Sequence, residues 1–196
     1  EMQDFLVSKR MRSETKCIRA VDILFGEQTL SLCDTPGFDD TEGVEVNIAN
    51  GISTSKAIRQ ARSVIPVLVI DEATLKVDRG NGLRSLCQIV QSLMNNWKDH
   101  IHSFVYLFTH AQSKNSAKRV SKSCSSLRSV CESDLHPILD DIISKTQPIE
   151  SSATNPAGRT GAFFVDPEKD PEDRGDLFEL ILSAFESRIT DPQSVF

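Results

Sequence analysis

The sequence predicts an α/β fold, a three-layer and mostly parallel sheet with one antiparallel hairpin at its edge. Three observations predict it. The runs at 64–70 and 104–108 are short and continuously apolar, as expected for strands covered on both faces. They alternate with segments whose apolar residues recur at the helical period, most clearly Leu83, Leu86, Cys87, Val90, Leu93, Met94 and Trp97. Residues 17–25 and 29–33 are apolar runs joined by a short connection containing Gly26, the pattern of a β-hairpin.

The remaining elements follow in order. The stretch 34–43, DTPGFDDTEG, is dense in turn formers and acids and is expected to be a loop. Helical spacing then predicts a helix over 47–62, the strand at 64–70, a helix over 80–97 and the strand at 104–108. The segment 114–126 is rich in serine, lysine and arginine, and it is expected to be a solvated loop or a frayed helix start. Leu135, Ile138, Leu139, Ile142 and Ile143 resume the helical period, with Asp134 as N-cap and Pro137 in the first turn. A polar loop over 146–161 leads to a strand at 162–165. A closing helix over 172–189 places Leu177, Ile181, Ala184 and Phe185 on one face. There is no internal repeat.

Composition narrows the function classes. A chain of 196 residues suits one domain, and 39% hydrophobic with 26% charged residues excludes a disordered or collagen-like chain. The longest uninterrupted apolar run has seven residues, against about 20 for a membrane-spanning helix. No membrane span is therefore expected. A net charge of −6 argues against a nucleic-acid surface that works by counterion release. The five cysteines are an odd number without a C-x-x-C pair, so they read as small core hydrophobes in a reducing, cytoplasmic setting. The histidines do not group with them at zinc-ligand spacing. No signal-peptide core appears in the first 16 residues.

The loop after the second strand carries the chemistry. Asp34 at a strand end suits a magnesium ion held through water, because that ion gives up its water reluctantly. Gly37, three residues on, lets backbone N–H approach a phosphate unobstructed, and Pro36 stiffens the turn between them. The same four residues are also good chemistry for an ordinary acidic turn.

In context, LCDTPGFDDT (32–41) resembles the switch II motif of P-loop GTPases of the septin-like branch, which includes the immunity-associated and the chloroplast-import (Toc-type) GTPases. SETKC (13–17), about 20 residues earlier, resembles that branch's switch I, with Thr15 at the magnesium-contacting threonine. LFTHA (107–111) resembles its guanine-recognition segment. The resemblance implies a P-loop NTPase-like G domain over 1–196, with a switch I region at 1–16, a switch II region at 34–47 and a base-recognition segment at 109–114. It implies GTP or GDP and Mg2+ as ligands. Thr15, Asp34, Gly37, Thr109 and His110 would then bind the nucleotide, with Thr15 and Asp34 on the metal. It also implies slow hydrolysis and a homodimer that pairs across the nucleotide face.

Several departures accompany the match. The phosphate-gripping G-x-x-x-x-G-K-[ST] loop, and the strand that leads into it, are absent from the chain. The expectation is therefore an incomplete G domain whose hairpin and remaining sheet face each other across a missing strand, with nucleotide binding by the chain itself weak or absent. Gln112 stands where the base-reading aspartate is usual, which opens guanine selectivity to adenine or to no nucleotide. Phe38 replaces the water-orienting glutamine of small GTPases, so no catalytic residue is assigned. Lys16 and Arg12 read as a solvated pair beside Thr15. Asp71, Glu72 and Asp166 end strands on the same rim as the nucleotide loops. The alternative function is a non-catalytic, GTPase-like assembly module.

Overall fold

The computed structural model describes residues 18–25, 28–35, 44–75, 81–111, 115–147, 161–165 and 187–196. The chain divides into two compact units, Glu1–Ala61 with Phe196, and Arg62–Val195. Expected features at Thr15, Gly37 and Gln112, and residues 172–186 of the closing helix expected over 172–189, lie outside the described residues; Ile189, at the expected end of that helix, is in a β-bridge with Val64 instead.

The first unit contains β1 (Arg19–Phe25) and β2 (Gln28–Asp34), an antiparallel hairpin with Val21 opposite Leu32 and Ile23 opposite Leu30. Alternation along β1 half-buries Val21 and Ile23 and turns Ala20, Asp22 and Leu24 outward. Ser31 donates to the Asp22 carboxylate across the strands. Cys33 lies on the outward side and is exposed. That corrects its expected place in a core, because a two-stranded hairpin has only one face to bury. Helix α1 (Val44–Gln60) follows, starting three residues earlier than the spacing suggests.

The second unit holds a parallel sheet in the order β3–β4–β5, from β3 (Val67–Asp71), β4 (Val105–Thr109) and β5 (Ala162–Phe164). The fold is therefore α/β, with one parallel and one antiparallel sheet. The hairpin forms a two-stranded sheet of its own, rather than an edge of the larger one.

Strand β4 fits the expectation of burial on both faces: Val105, Tyr106 and Phe108 are almost wholly covered. Strand β3 does so in part. Leu68 and Ile70 are buried, but Val69 is 59% exposed on the opposite face. On that face Val105 and Phe163 form a small cluster with Ile65, Val67 and Leu107.

Helix α2 (Asn81–Leu93) buries Leu83, Cys87 and Val90. The apolar stripe continues through buried Met94 and Trp97, although the helix itself stops short of 97. Asn96 adopts a left-handed conformation (φ 49°), which breaks the helix and starts a 3-10 turn over Trp97–Ser103. The segment 114–126, expected as a solvated loop or a frayed helix start, belongs to a full helix from its third residue on, α3 (Ser116–Arg128). Its buried residues Ser116, Ala117, Val120, Cys124 and Leu127 form one helical stripe. Ser125 and Ser126 on the other side return their hydroxyls to the carbonyls of Ser121 and Lys122. High serine content concealed a helix whose polar side chains are on one face.

Helix α4 (His136–Thr146) buries Ile138, Leu139, Ile142 and Thr146, with Pro137 in its first turn as expected. Asp134 is not its N-cap. A 3-10 turn over Ser133–Leu135 precedes the helix and puts Leu135 at that position. Arg128 pairs with Asp140, joining α3 to α4 at an exposed site. A short helix, α5 (Pro192–Val195), follows a bridge between Val64 and Ile189.

A polar lock closes the amino-terminal end of β4. Lys145 donates to the carbonyls of Phe104 (2.7 Å) and His102 (3.2 Å) and to Asp141 Oδ2 (2.8 Å). The buried Tyr106 hydroxyl donates to the same carboxylate oxygen at 2.7 Å, and the ammonium lies 5.2 Å from the Tyr106 ring centroid. Burial lowers the Lys145 pKa, partly offset by Asp141, while burial and the Asp141 charge push Tyr106 well above its usual range. Gly161 completes the lock with φ +97°. A Cβ there would sit 3.1 Å from Lys145 Cδ and Cε and 3.3 Å from the Phe104 carbonyl oxygen.

Two expectations follow. Gly161→Ala should lower stability by roughly 1–3 kcal/mol in a denaturant melt, because it strains the backbone and crowds the lysine stem. Stability should also fall as pH rises from about 9 towards 12. Burial pushes the thiols of Cys87 and Cys124 up to about 12 from an ordinary 9.0. They stay protonated in the fold while the unfolded chain ionises, so their contribution is full below the unfolded value and is lost through this window. Tyr106 acts in the same sense from about pH 10. Lys145, shifted down, acts in the opposite sense below 10.5 but is one group against three. Each thiol should add roughly 1 kcal/mol per pH unit to the slope, and Cys124→Ala should flatten it.

Candidate functional site

Parallel strands place their carboxyl ends on one rim, and in open α/β sheets that rim is where ligands bind. In the second unit the register sets Asp71, the last residue of β3, beside Thr109, the last of β4. His110 follows in a left-handed conformation (φ 54°), uncommon for a residue with a side chain. That turn brings the Ala111 N–H to the Val165 carbonyl at 3.1 Å, while the Val165 N–H donates to the Phe108 carbonyl at 2.9 Å. The ends of β4 and β5 are thereby sewn together beneath His110. The Phe108 and Phe164 rings stack one residue below, with centroids 5.2 Å apart.

Asp71 is shaped by its own turn. Its Oδ1 accepts from the Ala73 N–H at 2.9 Å, and its carbonyl accepts from the Thr74 hydroxyl at 2.8 Å, which opens the short 3-10 helix Glu72–Leu75. The same Oδ1 lies 3.7 Å from His110 Nδ1. Both side chains are well exposed, at 50% and 39%, so this contact is weak and leaves the imidazole available to a ligand.

The neighbouring acid behaves differently. Glu72 is 5% exposed, and Arg119 of α3 meets it with both arms of its fork: Nε to Oε1 at 2.7 Å and a terminal nitrogen to Oε2 at 2.9 Å. The same terminal nitrogen reaches Ser116 Oγ at 3.0 Å.

Of the expected site residues, Thr109 and His110 stand together on this rim with Asp71. Asp34 ends β2 in the first unit, half-buried and in register with Arg19. A carboxylate at a strand end is a ligand type that Mg2+ takes, since that ion uses one or two protein carboxylates and fills its shell with phosphate and water. Among the described residues no group of three His, Cys, Asp or Glu forms a metal cluster. Thr15, Gly37 and Gln112 lie outside the described residues, as do Arg12, Lys16, Phe38 and Asp166.

Arg119 was missed from the sequence. The available signal was its place three residues after Ser116 on a helical stripe, hidden by the serine-rich composition around it.

No family model matches the chain, and no curated protein matches it. Among the described residues no helix is long and apolar enough to cross a membrane.

The left-handed turn gives a direct test. His110→Gly should keep or raise thermal stability by up to about 1 kcal/mol, since glycine pays no steric cost there, whereas His110→Val should lose roughly 1–2 kcal/mol. Equal melting behaviour of the two variants would contradict the described turn.

Proposed function

We propose that the chain is part of a guanine-nucleotide-binding G domain of the P-loop GTPase class, similar to the septin-like branch. The observation that carries the reading is the rim itself. Thr109 and His110, the residues of the LFTHA segment, stand at the carboxyl end of a buried parallel strand, tied to the end of the next one. The carboxyl end of a parallel strand is a ligand-binding position in open α/β sheets, and the exposed His110 ring offers both a flat face and hydrogen-bonding nitrogens to a purine. In this reading Asp34 and Thr15 hold Mg2+, and Gly37 gives a backbone N–H to the terminal phosphate. The bound metal supplies charge neutralisation on the phosphates. The full-length protein hydrolyses GTP slowly and pairs across its nucleotide face.

A second reading is a GTPase-like assembly module without catalysis. It is favoured by large apolar side chains left in solvent, among them Val69 (59% exposed), Ile48 (57%) and Ile52 (54%).

Titration of the full-length protein with fluorescent GTP, GDP and ATP in magnesium buffer separates the two. The GTPase reading expects micromolar-range binding, weakened about tenfold by His110→Ala. Absence of binding by all three nucleotides overturns it and leaves the assembly module.

A further inference from the structure

We infer that Glu72 and Arg119 are a positioning pair for the His110 turn, a role that rests on the proposed base-reading function of that turn. The strand β3 ends in two consecutive acids that face different ways. Asp71 meets His110 directly after β4. Glu72 meets Arg119 on the first turns of α3. One end of a single strand therefore contacts both the residue that leaves β4 and the helix the chain enters next.

The two contacts differ in strength, and the difference assigns the roles. The Asp71–His110 contact is exposed and 3.7 Å long, too loose to fix a loop by itself. Glu72 is almost wholly buried, so its charge requires a partner with two well-placed donors. The planar fork of Arg119 supplies them at 2.7 and 2.9 Å. The same guanidinium holds Ser116 Oγ at 3.0 Å, and the Arg119 N–H donates to the Asn115 carbonyl at 3.0 Å. The side-chain fork thus ties the start of α3 to the end of β3, while the backbone bond holds Arg119 within its own helix. Ala111, held to Val165 at 3.1 Å, and Asn115 are four positions apart in sequence, so the His110 turn and the start of α3 are near neighbours along the chain as well as sharing the end of β3. A lysine cannot replace the arginine here, because a single ammonium cannot satisfy both carboxylate oxygens and Ser116 in one plane.

The test uses Arg119→Lys and Glu72→Gln, read first without nucleotide. By NMR, both variants should shift the His110 ring and Ala111 amide resonances. Exchange of the Ala111 N–H should speed up at least about tenfold, while the resonances of the β1–β2 hairpin stay in place. Arg119→Lys, which keeps the charge, should perturb the turn despite a smaller loss of melting temperature. In the full-length protein the same variants should weaken purine nucleotide binding about tenfold, to the extent that His110→Ala does. If His110 and Ala111 do not move while the melting temperature falls, the pair only holds α3 and the inference is wrong. If they move and the unmodified protein binds no nucleotide, the base-reading function fails and the positioning of the turn stands. Should Glu72→Gln not fold, Arg119→Lys decides alone.

Discussion

The burial of β4 is the constraint on which the second unit depends. Its side chains at 105, 106 and 108 are covered on both faces, so its backbone has to bond β3 on one side and β5 on the other. Such a strand must also be terminated at each end without stranding polar groups. At the amino-terminal end Lys145 gathers the last carbonyls of the 3-10 turn before β4 and shares Asp141 with Tyr106. At the carboxyl end the left-handed His110 turns Ala111 back onto β5. One end is closed by a buried charge and the other by a strained backbone. The strained end lies on the rim where open α/β sheets bind ligands, and unusual backbone conformations tend to gather at functional positions.

The sequence made the strands and the strongest helix legible because their signals are local. Period-3.6 spacing found α2, and unbroken apolar runs found β3 and β4. It was blind where composition and structure part. Helix α3 was hidden because five positions of one stripe suffice to bury it, and the serines and lysines between them say only that the other face is wet. Exposure of Cys33 and Val69 was equally hidden, since a residue's suitability for a core does not reveal whether a second layer covers it. At the site, Thr109 and His110 were readable from the motif, whereas Arg119 was not. Its role comes from a contact 47 positions away along the chain.

The acids of the rim show why a list of charges is a poor guide to a site. Asp71 and Glu72 are neighbours in sequence and chemically alike. The pleat and the following turn send one into solvent and the other into the protein. Losing a partner costs the exposed acid little, because water replaces it. For a buried charge, removing one partner of the pair typically costs about 3–5 kcal/mol. Structural weight therefore falls on Glu72, and chemical availability on Asp71 and His110.

Helix α1 reverses the logic of the helices in the second unit. Its covered positions include Asn50 and Thr54, one turn apart, while Ile48 and Ile52, also one turn apart, stand in solvent. Asn50 Nδ2 and Thr54 Oγ1 have no hydrogen-bond partner among the described residues, and a buried polar atom left without one costs roughly 1–3 kcal/mol. The two isoleucines meanwhile forgo most of the roughly 1.5–3 kcal/mol that full burial of each would contribute. In α2, α3 and α4 the buried stripe is largely apolar, although Arg84 Nε and His136 Nε2 also lack a partner among the described residues. In α1 the covered positions are themselves polar, so burial and hydrogen bonding act against each other. Within the first unit, local opening should therefore start around α1.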